Sequence, residues 1–372
     1  MRILQVSSAR AFGGGERHVA DLARGLAARG HELFAAVAPG SPLGPRLDAL
    51  PPENVFALPL RNALDLPSAL RLARFVRERR VEIVHAHVAR DYTLAAFAAR
   101  RAGGARLVVT RHVLFPLGRV HRFALARVAR VVAVSEAVAR SLRAQRLFPA
   151  GKIRVVANAV DVGRFEAARD AFARARRGGR GRAPLRVGLV GELSEVKGQD
   201  VFLRAASLVT PRFGGEVEFV VVGADTSRDG SRRAKLDALI GELELGARVR
   251  LSGRWEDTAD VLPSFDIFVS ASRSEAFGMA MVEAMACGVP VVATATEGAR
   301  EIVEHGESGL LVPVNDPHAL AEAIVSLLAD GARRERLGGR ARERARERFG
   351  LGRMVADTER VYAEALGLCF EA

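Results

Sequence analysis

Residues 2–38 read Arg-Ile-Leu-Gln-Val-Ser-Ser-Ala-Arg-Ala-Phe-Gly-Gly-Gly-Glu-Arg-His-Val-Ala-Asp-Leu-Ala-Arg-Gly-Leu-Ala-Ala-Arg-Gly-His-Glu-Leu-Phe-Ala-Ala-Val-Ala. Arg2–Ser8 is an apolar run of β-forming residues, and Phe12-Gly13-Gly14-Gly15 interrupts it. Val19, Leu22, Leu26 and Ala27 then recur at helical spacing over Glu16–Arg29, with Gly30 where a helix closes on a left-handed residue. His31–Ala38 returns as a second apolar run. Strand, glycine turn, helix, strand is the unit that builds a parallel sheet, because parallel neighbours need a crossover between them.

The same alternation continues outward. Short runs at Glu82–Ala86, Arg106–Thr110, Val131–Val134 and Ile153–Val156 are separated by helical stretches. Phe165–Pro184 loses the apolar period and contains Arg-Arg-Gly-Gly-Arg-Gly-Arg, which predicts a linker over 169–184. A second series follows, with strands expected at Leu185–Val190, Val217–Val222, Val249–Leu251, Asp266–Val269, Pro290–Ala293 and Leu310–Val312. Three polar helices are expected beyond Asp316. The fold class is therefore α/β: two doubly wound, Rossmann-like domains, over 1–168 and 185–351, with the last helix (352–372) packing back on the first.

At 372 residues and 49% hydrophobic, the chain has ample material for two cores. Cys287 and Cys369 cannot build a disulfide framework, so a reducing cytoplasm is the expected compartment. The first residues read as a strand rather than a leader, and no run approaches the ~18 apolar residues that span a bilayer. The net charge of +13 is uneven: residues 1–178 hold 31 Lys and Arg against 13 Asp and Glu, whereas the remainder holds 25 against 30. The first half is thus expected to meet something anionic: nucleic acid, an anionic membrane surface or an acidic acceptor. An arginine-rich composition accounts for Arg over Lys but not for the change of sign.

Ligands of parallel sheets bind beyond the carboxyl ends of the strands, so residues just after strands carry the chemistry. Gly14 and Gly15 let backbone approach a ligand at a helix start, although they do not form Gly-x-Gly-x-x-Gly and a plain tight turn fits equally. Gly191 to Gly198 opens the second half the same way, and Lys197, expected at the next helix start, adds a cation suited to a diphosphate. The sharpest signal is Ser272-Arg273-Ser274-Glu275-Ala276-Phe277-Gly278-Met279-Ala280-Met281-Val282-Glu283-Ala284. Glu275 is expected in the loop, with a helix beginning near Gly278 and Glu283 inside it. Met281, Val282, Ala284, Met285, Ala286 and Cys287 make that helix apolar nearly all round, so Glu283 is no surface decoration.

Two glutamates separated by seven residues, in a Ser-x-x-Glu-x-Phe-Gly context, resemble the signature of retaining glycosyltransferase family 4, glycosyl transferases group 1. Further pieces agree in order: Gly13-Gly14-Gly15-Glu16, His85-Ala86-His87, Thr110-Arg111-His112, Val134-Ser135, Asn158-Ala159-Val160-Asp161, Gly191–Gly198 and Glu304–Val312. The resemblance runs from the first strand to about Asp316. It implies a GT-B architecture whose two domains face a central cleft, an acceptor domain first and a nucleotide-sugar domain second. It also implies catalytic roles for Glu275, Lys197 and His112, and nucleotide-sugar contacts from Gly14, Gly15, Gly191, Lys197, Arg254, Phe277, Gly278, Met279 and Glu283. The donor would be UDP- or GDP-linked, the acceptor a glycan or glycolipid, and the pathway bacterial cell-surface polysaccharide or lipopolysaccharide assembly. No metal and no cofactor are implied. Glu192 stands where the family commonly has an arginine; Arg254, after another strand, or Arg17 could supply that charge, and the sequence does not decide between them.

His85 and His87 are expected to point to opposite faces and to be structural, which argues against a metal site; no Asp-x-Asp pair occurs. Arg71, Arg74, Arg77, Arg79 and Arg80 lie among Leu72, Phe75 and Val76, and Arg119, Arg122, Arg127 and Arg130 beside Val120, Phe123 and Leu125. Such stretches suit either a solvated face or the anionic inner surface of the cytoplasmic membrane. No nucleic-acid motif accompanies the charge, so nucleic acid is not an expected partner. The rival functions are another GT-B sugar-nucleotide enzyme, such as an epimerase, and a non-catalytic nucleotide-sugar-binding protein.

Overall fold

The structure, a computed structural model, describes residues 1–118, 120–176, 184–227 and 229–368. The chain forms two compact units, residues 1–159 with 351–372, and residues 160–350. The boundary therefore falls at Ala159/Val160, earlier than the expected 168. The first eight positions of the expected linker are helical, the end of a helix over Val162–Arg176, while 177–183 lie outside the described residues. So do Arg119 and Cys369.

Unit 1 comprises β1 (Arg2–Ser7), α1 (Gly14–Ala28), β2 (Glu32–Val37), β3 (Val55–Ala57), α2 (Leu66–Glu78), β4 (Ile83–Ala86), α3 (Tyr92–Ala102), β5 (Arg106–Arg111), α4 (Val120–Ala124), β6 (Arg130–Ala133), α5 (Glu136–Gln145) and β7 (Ile153–Val155). Every strand pair is parallel, in the order β3-β2-β1-β4-β5-β6-β7. The edge strand β3 is not foreseen, because three residues are too few to show a period. The chain winds outward from β1 and restarts at β4, so the switch point lies between these two strands, where a crevice forms at the carboxyl ends.

Unit 2 comprises α6 (Val162–Arg176), β8 (Leu185–Val190), α7 (Gln199–Val209), β9 (Val217–Val222), α8 (Ser231–Glu242), β10 (Val249–Leu251), β11 (Ile267–Ser270), α9 (Met279–Ala286), β12 (Val291–Thr294), α10 (Glu297–Ile302), β13 (Gly309–Val312), α11 (Pro317–Ala329) and α12 (Gly331–Phe349). Its parallel order is β10-β9-β8-β11-β12-β13, with the switch point between β8 and β11. Contrary to expectation, α11 is not polar: Leu320, Ala321, Ile324, Leu327 and Leu328 are buried in the core of this unit.

The final helix, α13 (Leu351–Leu366), belongs to unit 1. Met354, Val355, Val361 and Tyr362 enter the same core as Val19, Leu22 and Leu26 of α1. The two helices approach closely because Gly25 has no side chain: a Cβ there would stand 2.3 Å from Val355 Cγ2. Glu359 of α13 accepts hydrogen bonds from Arg29 at 2.9 Å and pairs with His31 at 2.7 Å.

Candidate functional site

In unit 2 the two glycine-bearing loops meet at the β8/β11 switch point. Lys197 sits in a short turn over Glu195–Lys197, two residues before α7 begins and not at its first position. Its Nζ donates to Glu275 Oε2 at 2.7 Å, and the Ser272 hydroxyl donates to the same oxygen at 3.3 Å. Two groups 78 residues apart in sequence are thus in contact. A Cβ on Gly191 would be in ordinary contact with the Lys197 methylenes at 3.4 Å, so the lysine stem packs along this turn.

Further contacts lace the loops together. The Arg273 amide donates to Val196 O at 2.7 Å. The Arg273 guanidinium grips Asp200 through two hydrogen bonds, of 2.9 and 2.7 Å, and reaches Glu195 O at 2.5 Å. Gln199, almost fully buried, donates to Glu192 O at 2.8 Å. Sequence reasoning missed Arg273, Asp200 and Gln199, because none belongs to a motif whose chemistry announces itself. Such bracing holds loop side chains in place before a ligand arrives.

Glu283 is 3% exposed within α9 and accepts from the Thr258 hydroxyl at 2.9 Å. Burying a carboxylate in an apolar helix is costly unless hydrogen bonds or charges compensate. Thr258, in the turn after β10, supplies one such bond and was also missed. Gly278 caps α9 with a φ of +116°, and a Cβ there would collide with Met281 Cε. Phe277 turns its ring into the core against Phe349, centroids 5.6 Å apart, so a ligand could meet only its backbone. Met279 opens α9 and is half-buried. Cys287, at the far end, is buried, and burial pushes its thiol up to about 12, too high for a reactive nucleophile.

Glu192 is exposed. Arg254 stands exposed in the loop after β10, and among the described residues no hydrogen bond or ion pair joins it to Lys197 or Glu275. Arg17 belongs to unit 1, its guanidinium 6.0 Å from the Phe12 ring. Within unit 2, then, no contact ties Arg254 to the Lys197–Glu275 pair. Other motif pieces have local jobs: Ser135 caps α5 by accepting from Val138 N at 3.1 Å, and Asp161 accepts from Arg164 N at 3.1 Å.

In unit 1, Gly14 and Gly15 form the first turn of α1, and the Gly13 amide donates to Glu16 Oε2 at 2.9 Å. A Cβ on Gly15 would touch the His112 ring at 3.7 Å, so the glycine turn lies against the candidate histidine. The expectation that His85 and His87 diverge is wrong. Strand side chains alternate, so residues two apart share a face, and these rings lie 4.1 Å apart between centroids. His18 joins them from α1, with its ring 4.9 Å from that of His112 and 5.7 Å from that of His87.

A hydrogen-bonded relay orders the cluster. Thr110 Oγ1 and Tyr362 OH hold the two nitrogens of His85, each at 2.6 Å; Gln5 Oε1 holds His87 Nε2 at 2.7 Å. Burial is the first cause that lowers all four histidines. His18 falls to about 4, the Asn158 side chain opposing, and His85, His87 and His112 fall well below the ordinary value, with neighbouring imidazoles adding to the effect. All four are therefore neutral near pH 7.

Two family profiles match: Glycosyltransferase Family 4 over residues 12–164 and Glycosyl transferases group 1 over 177–344. The D-inositol 3-phosphate glycosyltransferase of Xylanimonas cellulosilytica is 32% identical over 95% of this chain and 92% of its own. The N-acetyl-alpha-D-glucosaminyl L-malate synthase of Bacillus anthracis is 28% identical over 93% of this chain and 92% of its own. Among solved structures, Anabaena HepE in complex with UDP superposes with a TM-score of 0.83 at 22% identity, covering 98% of this chain and all of that one. A glycosyltransferase from Rickettsia africae gives 0.84 at 23%, covering 98% of each chain. These last two carry the fold, and the near full-length relative carries the family. With Lys197 and Glu275 joined at the β8/β11 switch point and Glu283 buried in the helix that follows, the chain belongs to the glycosyl transferases group 1, the family 4 glycosyltransferases of GT-B fold.

Proposed function

We propose that the protein is a retaining, metal-independent glycosyltransferase that moves a sugar from a UDP- or GDP-linked donor to a hydroxyl of a glycan or glycolipid acceptor. Assembly of bacterial cell-surface polysaccharide or lipopolysaccharide is the proposed setting, at the cytoplasmic side of the membrane. The observation that carries this reading is the 2.7 Å Lys197–Glu275 contact, braced by Arg273 and placed one short loop before the α9 helix that buries Glu283.

On donor binding, Lys197 turns its charge to the diphosphate, together with free amides at the start of α9. Glu275 then accepts hydrogen bonds from hydroxyls of the donor sugar, and Glu283 from those of the ribose. The bond from the anomeric carbon to the diphosphate oxygen breaks, and its electron pair leaves with the nucleotide. The acceptor oxygen bonds on the same face, and its proton passes to a diphosphate oxygen, so configuration is retained. His112 is assigned to contact with the transferred sugar. Protein cations and dipoles supply the charge stabilisation a metal would otherwise give. Turnover in excess EDTA is therefore expected to match turnover without it, measured as nucleotide release; loss that magnesium or manganese restores contradicts the metal-free step.

The acceptor has a second candidate class. The names of both relatives above carry a small hydroxylated anion, L-malate or inositol 3-phosphate. In this chain Arg46 lies 4.5 Å from the Phe12 ring beside the glycine turn, and Arg90 Nε donates to the Ser8 hydroxyl at 2.5 Å. Small hydroxylated anions therefore belong in the acceptor panel beside lipid-linked glycans.

A thermal-shift screen of nucleotide sugars identifies the donor, since specific binding at about 100 Kd stabilises by about 2.7 kcal/mol. Single-turnover assays with and without acceptor then separate the rivals. Epimer or nucleotide formed without acceptor indicates an epimerase, and binding without turnover indicates a sensor.

Anionic lipid is the proposed docking surface of unit 1. Phe123 is 81% exposed and Phe115 72%, beside exposed Arg122 and Arg127; Leu64, Leu66 and Leu70 are exposed at the start of α2. Phe75 is not available, since its ring packs on Phe34 and Phe56 at 5.4 and 4.2 Å. No helix of the described residues is long and apolar enough to cross a membrane. Shallow insertion of a few apolar side chains plus several cations is enough for reversible binding. Co-sedimentation with anionic liposomes is expected at low salt and should fade as salt rises. Charge reversal at Arg71, Arg74, Arg122 and Arg127 should reduce it several-fold without changing nucleotide binding; a wild type that ignores such liposomes contradicts the proposal.

A further inference from the structure

From the buried histidines of unit 1 we infer a zinc-binding site formed by His18, His87 and His112. One nitrogen from each lies within 4.8 Å of the others. His87 Nδ1 and His112 Nε2 are 3.4 Å apart, long for a hydrogen bond between imidazoles. It is, however, the separation expected of two ligands at about 2.0–2.1 Å from a tetrahedral zinc, which is about 3.4 Å. Bringing the third ligand in requires a closure of at most about 1.4 Å, within reach of the broad imidazole torsion.

The surroundings prepare these rings as ligands. Gln5 Oε1 accepts from His87 Nε2 at 2.7 Å, which leaves the Nδ1 lone pair directed at His112. A hydrogen bond on the distal nitrogen is the usual orienting device behind a metal-bound histidine. Gln5 in turn meets Tyr362 OH at 3.4 Å, and that hydroxyl is held by His85 at 2.6 Å. His18 is 2% exposed, and its Nδ1 has no hydrogen-bond partner among the described residues. An unpaired buried nitrogen is costly, and ligating a metal through the His18 ring nitrogen removes that cost. Three nitrogen ligands select zinc over magnesium, which prefers oxygen.

Zinc at this site is not a cofactor for the transfer proposed above. It occupies His112 and should inhibit, an effect that rests on that proposal; the binding itself does not. The test uses full-length protein without substrates, titrated with zinc against a chromophoric chelator. One zinc per chain is expected, and His18→Gln or His87→Gln should weaken it by about 10²-fold, while His305→Gln and His318→Gln leave it unchanged. X-ray absorption on the wild type should show three imidazole nitrogens at about 2.0–2.1 Å, which keeps the inference testable if either variant misfolds. No binding, unchanged affinity in the folded His18 and His87 variants, or an oxygen-only shell overturns the site. With the site established, zinc that leaves turnover untouched would count against the role given to His112, not against the metal site.

Discussion

Glu275→Gln is expected to lower turnover by about 10²-fold or more, and Glu192→Gln by no more than a few-fold. The difference follows from where the two carboxylates stand. Glu275 shares one oxygen between Lys197 at 2.7 Å and Ser272 at 3.3 Å. A neutral amide at 275 removes the charged acceptor for sugar hydroxyls and leaves the Lys197 cation without its resting partner. Hydrogen bonds to charged groups are worth about 1.5–3 kcal/mol, and interactions made in the transition state appear in kcat. Glu192 is exposed, and the loop uses its carbonyl, not its carboxylate, as the acceptor for Gln199 at 2.8 Å. Steady-state kinetics with the identified donor provides the measurement. Equal losses from the two substitutions contradict this division of roles, and so does a Glu275→Gln enzyme with raised KM but unchanged kcat.

Gly198→Ala is expected to cost about 2–4 kcal/mol of stability and to cut kcat/KM by about 10²-fold in whatever protein remains folded. Gly198 holds a φ of +65°, and a Cβ there would stand 2.0 Å from the Ala271 carbonyl oxygen. That oxygen is backbone at the end of β11, so a rotamer change cannot relieve the clash. The loops must separate, and the Lys197–Glu275 contact is the first to open. Gly246→Ala is the control, because open space surrounds Gly246 and its backbone is unstrained. Urea denaturation of the pair, followed by kinetics, tests the claim. A Gly198→Ala protein as stable and active as the Gly246→Ala one would show that the loops are not tightly packed.

The zinc site and the metal-free transfer make opposite demands on one experiment. EDTA should leave turnover of zinc-free protein unchanged, and added zinc should depress it. Magnesium should do neither.

Sequence alone determined the alternation of strand and helix, since apolar runs and helical spacing are local properties. It therefore located twelve of the thirteen strands found among the described residues, missing Val55–Ala57. It also marked the residues at strand ends, because glycine turns, paired glutamates and a lysine are legible as residue types. What it left undecided was what touches what. The Arg273–Asp200 brace, the Thr258 bond to Glu283 and the closure of Gly25 on Val355 join positions 73, 25 and 330 residues apart, and no local pattern encodes such pairs. Helix boundaries were misjudged where composition misled: the arginines of α6 looked like linker, yet the helix runs to Arg176. The histidines show the limit most plainly. Their positions are visible in sequence, but burial against α13 and convergence from α1, β4 and β5 are tertiary facts. That convergence makes them neutral and packs them together, because desolvation depends on everything around a ring and not on its neighbours in the chain.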